Sequence, residues 1–274
     1  MRVVVTGANG FIGAAVTRAL GARARPLTRA QADFSGAFDA RAQLAGCEQV
    51  VHTAGRAHTP ADASFHPVNV SGTRRLAEQA AEVGVRRFVF LSSIGVTVTP
   101  DEPYARTKRE AEAALAEVAA THGLEVVVIR PTLVYGPGAP GNWAQLMRLV
   151  RSGVPLPFAS VDNRRSFIAL DNLVDLVVRC VELDAPPPEP LAASDAEPIS
   201  TSALIRRIAR ALGRSARLWP CPPALLLAAA RLAGRGAQMH KLVDSLVVDS
   251  SRTTALTGWA PRDRLDETLR RCVS

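Results

Sequence analysis

Short runs of β-branched and apolar residues alternate with helical patterns over residues 2–130, and this alternation constrains the fold more than any other feature. Strands joined one after another by helices run parallel, through right-handed crossovers, in a sheet with helices on both faces. The predicted strands are residues 2–6, 23–28, 49–53, 86–92 and 124–130, and the predicted helices are residues 11–21, 38–45, 67–83 and 104–121.

This order predicts an α/β fold with a doubly wound parallel sheet, the Rossmann dinucleotide-binding architecture. After residue 130 the alternation gives way to a loop rich in proline and glycine, and then to helices predicted near residues 143–151, 173–183, 201–212, 224–233 and 263–271. We therefore expect a Rossmann domain over residues 1–165. A smaller, mostly helical substrate-binding lobe is expected over residues 166–274, with some of the chain crossing back to the sheet.

Composition narrows the possible partners. The formal net charge is +8, but the arginines are spread along the chain and not clustered with aromatic residues, so we expect no nucleic-acid partner. The apolar run at 222–230 is too short to span a bilayer and is predicted to be a buried helix, so no membrane partner is expected. The four cysteines form no CxxC pair and have no neighbouring histidines, which favours reduced thiols, no bound metal and a cytoplasmic protein.

Three spaced glycines, Gly7, Gly10 and Gly13, lie between the first predicted strand and the first predicted helix. Glycine is required where the backbone turns sharply, approaches a pyrophosphate and packs a helix against a strand. The N-terminus of the helix then presents free N–H groups to the phosphates. The loop therefore predicts a dinucleotide site, with further contacts from its remaining members Asn9, Phe11 and Ile12.

The type of nicotinamide cofactor depends on the end of the second strand. NAD enzymes usually place a carboxylate there for the ribose hydroxyls. Residues 23–29 contain no acid, whereas Arg25 and Arg29 are suited to a 2′-phosphate. We therefore expect NADP, with NAD as the alternative, because both arginines are also compatible with a solvated surface position.

Tyr104 and Lys108 open a predicted helix four residues apart, so that the phenol and the ammonium share one face. A tyrosine acts as a general acid or base at neutral pH only if its pKa falls from about 10, which requires differential stabilisation on the order of 4 kcal/mol. A nearby lysine and an oxidised nicotinamide supply it by favouring the phenolate. The pair is rare by chance, because the chain has only two tyrosines and two lysines.

Several further landmarks follow in a characteristic order along the chain, and with them the sequence resembles the extended short-chain dehydrogenases/reductases. This group includes sugar-nucleotide epimerases, dehydratases and 4-keto-sugar reductases. The landmarks are the glycine motif, Asp33-Phe34, residues 51–55 (VHTAG), 69–73 (NVSGT), 90–93 (FLSS) and 104–108 (YARTK), Arg130-Pro131 with 134–138 (VYGPG), and 165–168 (RSFI) with Asp171-Asn172.

The resemblance implies a role for each matching residue. Tyr104 would transfer the proton, Lys108 would hold the nicotinamide ribose, and Ser93 would hydrogen-bond the reacting oxygen. His52 is expected to be a packed strand-end residue. The other implied cofactor contacts are Asp33 and Phe34 near the adenine, Thr53, Ala54 and Gly55 along the cofactor, and Pro131; the implied substrate contacts, besides Ser93, are Tyr135, Asn142 and Arg165, the last at a pyrophosphate.

The departures from the family pattern bear on the reaction. Only ten residues separate Ser93 from Tyr104, which implies a shortened lid, and Leu133 replaces a frequent sugar-contacting asparagine. Ile94-Gly95 stands where a dehydratase carries an acidic pair, so dehydration is disfavoured. We expect hydride transfer to or from a UDP-linked 4-keto-hexose. The alternatives are a nucleotide-sugar 4-epimerase and, from another class, a non-catalytic NAD(P)-binding sensor or assembly factor. The resemblance also suggests a homodimer.

Overall fold

A computed structural model describes residues 1–57, 65–262 and 264–273. The chain divides into two compact units. Unit 1 comprises Met1–Thr132, Leu170–Ala193 and Asp249–Ala260, and unit 2 comprises Leu133–Ala169, Ser194–Val248 and Pro261–Ser274. The predicted boundary at residue 165 thus differs from the observed division, in which unit 2 begins at Leu133 and two later segments return to unit 1. A substrate-binding role for the second part stays a prediction.

The strands of unit 1 are β1 (Val3–Thr6), β2 (Ala24–Leu27), β3 (Gln49–His52), β4 (Arg87–Leu91), β5 (Glu125–Pro131) and β8 (Leu191–Ala193). They form a six-stranded sheet in the order β2-β1-β3-β4-β5-β8, in which every neighbouring pair is parallel. This arrangement confirms the predicted doubly wound fold. The helices of this unit are α1 (Phe11–Leu20), α2 (Arg41–Leu44), α3 (Thr73–Glu82), α4 (Gly95–Val98), α5 (Pro103–His122), α7 (Leu170–Glu182) and α11 (Ser251–Thr257).

The central strands are buried on both faces, as a parallel sheet between two helical layers requires. Every residue of β1, β3 and β4 is buried. Val4, Val50 and Phe88 pack on one side with Leu76 of α3 and Leu115 of α5. The packing brings the C-terminal ends of β1, β3 and β4 to the same edge of the sheet, where the predicted site residues follow.

Two predicted elements of unit 1 differ in detail, and one strand was not predicted. The helix expected at 38–45 is reduced to α2, a single turn. The helix expected at 67–83 begins as a π-helical segment, Pro67–Gly72, before α3 starts at Thr73. Strand β8 was not predicted, because three residues carry too little periodicity to be recognised.

Unit 2 contains a parallel pair of strands, β6 (Leu133–Tyr135) and β7 (Phe167–Ala169), neither of which was predicted. Its helices are α6 (Asn142–Ser152), α8 (Thr201–Ala211), α9 (Pro223–Leu232), α10 (Gly236–Val243) and α12 (Leu265–Val273). The mostly helical character expected for the C-terminal region is therefore observed. Asp263, the expected start of the last helix, lies outside the described residues.

Helix α9 corrects one prediction. The apolar run at 222–230 forms the expected helix, but only Leu226 and Ala230 of α9 are buried, while Leu225 is 60% and Leu232 93% exposed. The run is apolar on both faces, and unit 2 covers only one of them. Across the described ranges, no helix is both long and apolar enough to cross a membrane.

Candidate active site

The glycine loop makes a tight turn that tolerates no side chain at two positions. Gly7 has a φ of +65°, which favours glycine, and its carbonyl accepts a hydrogen bond of 2.8 Å from the N–H of Gly10. A Cβ atom on Gly13 would lie 2.1 Å from that carbonyl oxygen. The first turn of α1 therefore packs directly against the end of β1, as a dinucleotide loop requires.

The start of α1 fits a pyrophosphate. Gly10 precedes the helix in extended backbone, no side chain caps the helix, and its first turn carries no acidic residue. The first N–H groups of an uncapped helix need acceptors, and their partial positive charge favours an anion. Asn9 and Gly10 are exposed beside it, and Phe11 and Ile12 are half-buried in the first turn.

The arginines near β2 are already engaged within the chain. Arg25 donates through Nη1 to the carbonyls of Gln43 (2.9 Å) and Ala45 (3.0 Å). Arg29 donates from Nε and Nη2 to Asp33 Oδ2, at 3.2 and 3.1 Å. Neither guanidinium is held ready for a 2′-phosphate by these contacts, so the geometry gives no support to the NADP preference drawn from them.

Asp33 is exposed and anionic, next to the buried Phe34. Hydrogen bonds from the hydroxyl and N–H of Ser35, together with Arg29, lower the pKa of Asp33 to about 2. A carboxylate therefore follows β2 after all, six residues beyond Leu27, the last residue of the strand.

A hydrogen-bond chain fixes the end of β3 and identifies His52 as a packed histidine. Thr73 donates to the carbonyl of Asn69 (2.8 Å), so its oxygen accepts from His52 Nε2 at 3.0 Å. His52 Nδ1 then accepts from Thr6 Oγ1 at 2.7 Å. His52 is fully buried, and desolvation, assisted by the charge of Lys108, lowers its pKa to about 3. The neutral ring thus connects β1 and β3 with Thr73 of α3, which in turn binds Asn69 of the π-helical segment.

Asn69 was not among the predicted site residues, although the family landmark at 69–73 contains it. Its Oδ1 accepts from the Arg56 N–H at 2.8 Å, and its Nδ2 donates to the Arg56 carbonyl at 3.0 Å and to Thr107 Oγ1 at 3.2 Å. The side chain is 1% exposed and ties the segment after β3 to α5. The wide π-helical turn that carries it is a feature found often at functional sites.

The side chain of Lys108 is buried next to the loop that follows β3. Its Nζ donates to the Leu91 carbonyl at 2.6 Å and lies 4.5 Å from the centroid of the Phe90 ring. A Cβ atom on Gly55 would lie 3.5 Å from the same Nζ, so the ammonium is adjacent to a predicted cofactor contact. Burial lowers the pKa of Lys108 to about 8, and the charge of Glu112 opposes that shift.

Tyr104 is half-buried at the first turn of α5, with its ring 6.2 Å from that of Phe65 in an edge-on arrangement. Burial raises the pKa of Tyr104 to about 12. The protein alone thus makes the phenol a weaker acid than free tyrosine, contrary to the expected effect of Lys108. Ser93 accepts a hydrogen bond of 3.1 Å from the Gly95 N–H, at the start of α4, which packs on α5.

Glu112 forms a network one helical turn beyond Lys108. Ser92 donates to Glu112 Oε1, and Arg130 binds both carboxylate oxygens, at 3.0 Å from Nε and 2.5 Å from Nη2. The side chains of Glu112 and Arg130 are only 11% and 21% exposed. The network joins the residue that follows β4 to α5 and β5. Sequence reasoning missed it because no spacing along the chain links Glu112 with Ser92 or Arg130.

Unit 2 contains a pocket of about 180 Å³ that brings together two of the predicted substrate residues, Asn142 and Arg165. Arg165 donates to the Asp244 carbonyl at 2.9 Å, and burial lowers its pKa. The second lysine of the chain, Lys241, also lines the pocket and was not predicted to do so. The remaining lining residues are Leu133, Trp143, Gln145, Leu146, Leu149, Phe167, Thr201, Leu204, Gln238 and Leu242.

Tyr135 lies elsewhere in unit 2. It is 1% exposed, its hydroxyl donates to Asp195 at 2.9 Å, and its ring packs against Trp143. Asp195 also accepts from the Ala169 N–H. This geometry favours a structural role, because contact with a substrate would require the residue to leave its packed position. The other predicted cofactor contacts, Thr53, Ala54 and Pro131, are half-buried or buried in unit 1. In the described part of the chain, no cluster of side chains could hold a metal ion.

The fold, the glycine loop and the Tyr104–Lys108 pair define a nicotinamide-dependent enzyme of the short-chain dehydrogenase/reductase class. The chain belongs to the NAD dependent epimerase/dehydratase family, whose profile matches residues 3–191. It is 33% identical to a UDP-glucose 4-epimerase of Vibrio cholerae, over 97% of this chain and 92% of that one.

Solved structures have the same fold. UDP-glucuronic acid 4-epimerase from Bacillus cereus, in complex with NAD, superposes with a TM-score of 0.79 at 18% identity and covers 99% of this chain and 97% of that chain. RMD from Pseudomonas aeruginosa, complexed with NADPH, gives a TM-score of 0.73 at 20% identity, with the same coverage. At these identities the structures establish the fold, and both forms of the cofactor occur among them.

Proposed function

We propose that this enzyme interconverts nucleotide-linked sugars by 4-epimerisation, through removal and return of a hydride at C4. The observation that carries the proposal is the similarity to a UDP-glucose 4-epimerase over nearly the whole of both chains. The retained Tyr104 and Lys108 add to it, because a non-catalytic relative would have no need of a buried lysine four residues after a tyrosine.

In this proposal Tyr104 removes the C4 hydroxyl proton and later returns it. Ser93 donates a hydrogen bond to the same oxygen, since its own oxygen already accepts from Gly95. A bound nicotinamide would accept and return the hydride, and its positive charge in the oxidised form favours the phenolate. That contribution is needed here, because burial by itself raises the pKa of Tyr104 to about 12.

Lys108 would contribute a buried positive charge next to Gly55, where the resemblance places the cofactor. Its pKa of about 8 leaves most of the ammonium charged at neutral pH. Asn69 would act as a positioning residue, because it fixes the segment after β3 against Thr107 of α5, the helix that also carries Lys108.

For the nucleotide part, we propose that the pocket of unit 2 binds a diphosphate through Arg165 and Lys241. The two cations have different chemistry, since a guanidinium binds two phosphate oxygens at once and an ammonium acts as a point charge. Trp143 and Phe167 add aromatic surface to the same pocket, which suits a nucleotide base.

We further propose NAD as the cofactor of the cycle. Arg25 and Arg29 are occupied by partners within the chain, and Asp33 supplies an anionic carboxylate after β2 that would repel a 2′-phosphate.

A net 4-keto reductase remains the second candidate, favoured by one observation: residues 23–29, which include β2, contain no acid. The two reactions differ in their balance of electrons. An epimerase leaves the cofactor in its original redox state, whereas a reductase consumes one NADPH for each product molecule.

The experiment is incubation with UDP-glucose or UDP-N-acetylglucosamine and NAD in D₂O, followed by NMR. Epimerisation yields the 4-epimer without deuterium at C4, because the hydride taken from C4 is the one returned. Stoichiometric NADPH oxidation with a UDP-4-keto-hexose would favour the reductase instead. Absence of both reactions, without any thermal stabilisation by UDP, would refute the nucleotide-sugar proposal.

Arg165→Ala tests the pocket, with Arg164→Ala as the matched control because Arg164 is an exposed neighbour outside it. Loss of a charge-assisted contact to a diphosphate is expected to raise KM about 10- to 100-fold in Arg165→Ala. The control should remain within about twofold.

A further inference from the structure

The exposed face of α9 is apolar over its whole length. Leu225, Ala228, Ala229 and Leu232, which we call the α9 stripe, are all exposed. They recur at positions i, i+3, i+4 and i+7, so they share one face. The opposite face carries the buried Leu226 and Ala230. A helix that is apolar all round is normally covered on all sides, and unit 2 covers α9 on one side only.

The stretch of sequence that contains this helix is one-sided in charge. Residues 198–243 include seven arginines and one lysine but no aspartate or glutamate, which accounts for the whole formal charge of +8. The remainder of the chain carries equal numbers of acidic and basic residues. Arg231 and Arg235 flank the C-terminal end of the α9 stripe, and both are exposed. An apolar stripe beside a cationic segment is complementary to a surface that is apolar inside and anionic outside.

Trp219, just before α9, adds a third feature. Its side chain is 48% exposed, whereas Trp143 and Trp259 are 3% and 6% exposed. Tryptophan prefers the boundary between water and lipid, because its ring is apolar and its N–H needs a polar partner.

We propose that the α9 stripe, with Trp219 and the cationic segment 198–243, docks on the surface of a bilayer that contains anionic lipids. The helix would lie in the interface and not cross it, in keeping with its ten residues. This proposal replaces the expectation of no membrane partner, which rested on the absence of a spanning segment and not on the exposed surface. It does not depend on the reaction proposed above.

A second copy of the chain is a poorer occupant for the α9 stripe. A two-fold interface brings the same surface of both copies together. Arg231 and Arg235 of both copies would then lie at one interface, and residues 198–243 offer no carboxylate to compensate these four charges. Anionic headgroups supply that compensation.

Helix α10 links the proposed docking surface to the pocket of unit 2. Helix α10 packs on α9 and contributes Gln238 and Lys241 to the pocket lining. The docking surface and the pocket therefore lie on neighbouring helices of one compact unit.

The first test uses the unmodified protein. Vesicles of phosphatidylcholine alone, or mixed with phosphatidylglycerol, are added while tryptophan fluorescence is recorded. Because Trp219 is the exposed tryptophan, we expect a blue shift, and quenching by brominated acyl chains, with the anionic vesicles only. Trp219→Phe should remove the signal without preventing co-sedimentation. The absence of both fluorescence change and co-sedimentation at low ionic strength would overturn the proposal.

The second test uses matched pairs of variants in co-sedimentation. Leu225→Ser with Leu232→Ser should lower the vesicle partition coefficient about tenfold per leucine. Val154→Ser with Val247→Ser, two exposed valines of unit 2 outside the stripe, should not lower it. Arg231→Gln with Arg235→Gln should lower it about fivefold per charge. Arg2→Gln with Arg18→Gln removes the same charge from exposed positions in unit 1 and should have a much smaller effect.

Thermal unfolding of each variant checks that the exposed substitutions leave the fold intact. Equal losses in the test and control pairs would contradict a local docking surface. A concentration-dependent dimer that Leu225→Ser with Leu232→Ser converts to a monomer, without vesicle binding, would assign the stripe to self-association and reject the membrane.

Discussion

Helices α5 and α9 begin alike and end in different environments. Each has proline in its first turn, where the missing N–H costs nothing. Helix α5 carries one buried face, which includes Lys108, Ala111 and Leu115, and one charged face. Helix α9 has no such division, and only two of its ten residues are buried. The comparison shows that a helical pattern specifies the helix, whereas the distribution of polar residues specifies how much of it the protein covers.

The difference extends to chemistry. On α5, polar groups are buried and paired: Lys108 with the Leu91 carbonyl, Glu112 with Arg130. In residues 198–243, the cationic groups are mostly exposed, and so are the apolar residues of the α9 stripe. Buried, paired charges suit a site with fixed geometry, whereas exposed charges beside an apolar stripe suit a surface that binds a partner.

The largest expected effect is on the catalytic side. Tyr104→Phe removes the hydroxyl that transfers the proton, and kcat should fall about 10³-fold while cofactor binding persists. Tyr135→Phe, at the other tyrosine of the chain, removes the hydrogen bond to Asp195. It should lower the free energy of unfolding by about 1 kcal/mol and change kcat less than about tenfold. Steady-state kinetics and thermal unfolding distinguish the two. A Tyr104→Phe enzyme within tenfold of the wild type would exclude this tyrosine as the proton carrier.

The next largest effect concerns the glycine loop. Gly13→Ala places a Cβ atom 2.1 Å from the Gly7 carbonyl oxygen, so the backbone must shift. We expect a loss of roughly 3 kcal/mol in the free energy of unfolding. Cofactor affinity, measured by calorimetry, should fall with it. Gly36→Ala is the control, because a Cβ atom there meets nothing within 4 Å, and it should stay within about 0.5 kcal/mol. Similar stabilities for the two variants would argue against the tight loop.

A smaller effect sharpens the description of α9. Leu226→Ala empties a buried position and should cost about 2 kcal/mol in denaturant unfolding. Leu225→Ala, one residue earlier and 60% exposed, should cost less than about 0.5 kcal/mol. Equal costs would mean that the outward face of α9 is covered in solution, contrary to its exposure here.

The smallest expected effect tests the network of Glu112 with Ser92 and Arg130, one helical turn beyond Lys108. The charge of Glu112 raises the pKa of Lys108, and burial has already lowered that pKa to about 8. Glu112→Gln removes the opposing charge, so the pKa falls further and the ammonium is lost at a lower pH. If the reaction requires the charged form of Lys108, activity is present at a pH below that pKa and is lost at a pH above it. The alkaline limb of the kcat profile should therefore move to lower pH, by up to about one unit.

Glu117→Gln is the matched control for Glu112→Gln. Glu117 lies on the same helix and pairs with Arg74, but its side chain is 64% exposed. We expect no shift of the pH profile and a change in stability of less than about 0.5 kcal/mol. An unchanged profile in Glu112→Gln, with the protein folded, would reduce the network to a structural role.

The arginines after the first crossover show what the sequence could not predict. Arg25 and Arg29 belong to the segment where the sequence predicts binding of a 2′-phosphate, and a guanidinium is suited to bind one. Their actual partners are the carbonyls at the end of α2 and the carboxylate of Asp33. An arginine has five donors and reaches far, so its partners depend on which groups folding brings nearby. Tyr135 is a similar case, since its hydroxyl binds Asp195, 60 residues away.

The sequence by itself determined the parallel sheet, the glycine loop and the spacing of Tyr104 and Lys108. Each depends on local geometry: the period of the strands and helices, the φ angles open to glycine, and the four-residue spacing of one helical face. Only the tertiary structure decided the pairing of Glu112 with Arg130, the contacts of Asn69 with Arg56 and Thr107, the position of Lys241 in the unit 2 pocket and the exposed face of α9. These features depend on contacts between residues far apart in the chain, and on which surfaces packing leaves uncovered. No local pattern of residue types in the sequence carries that information.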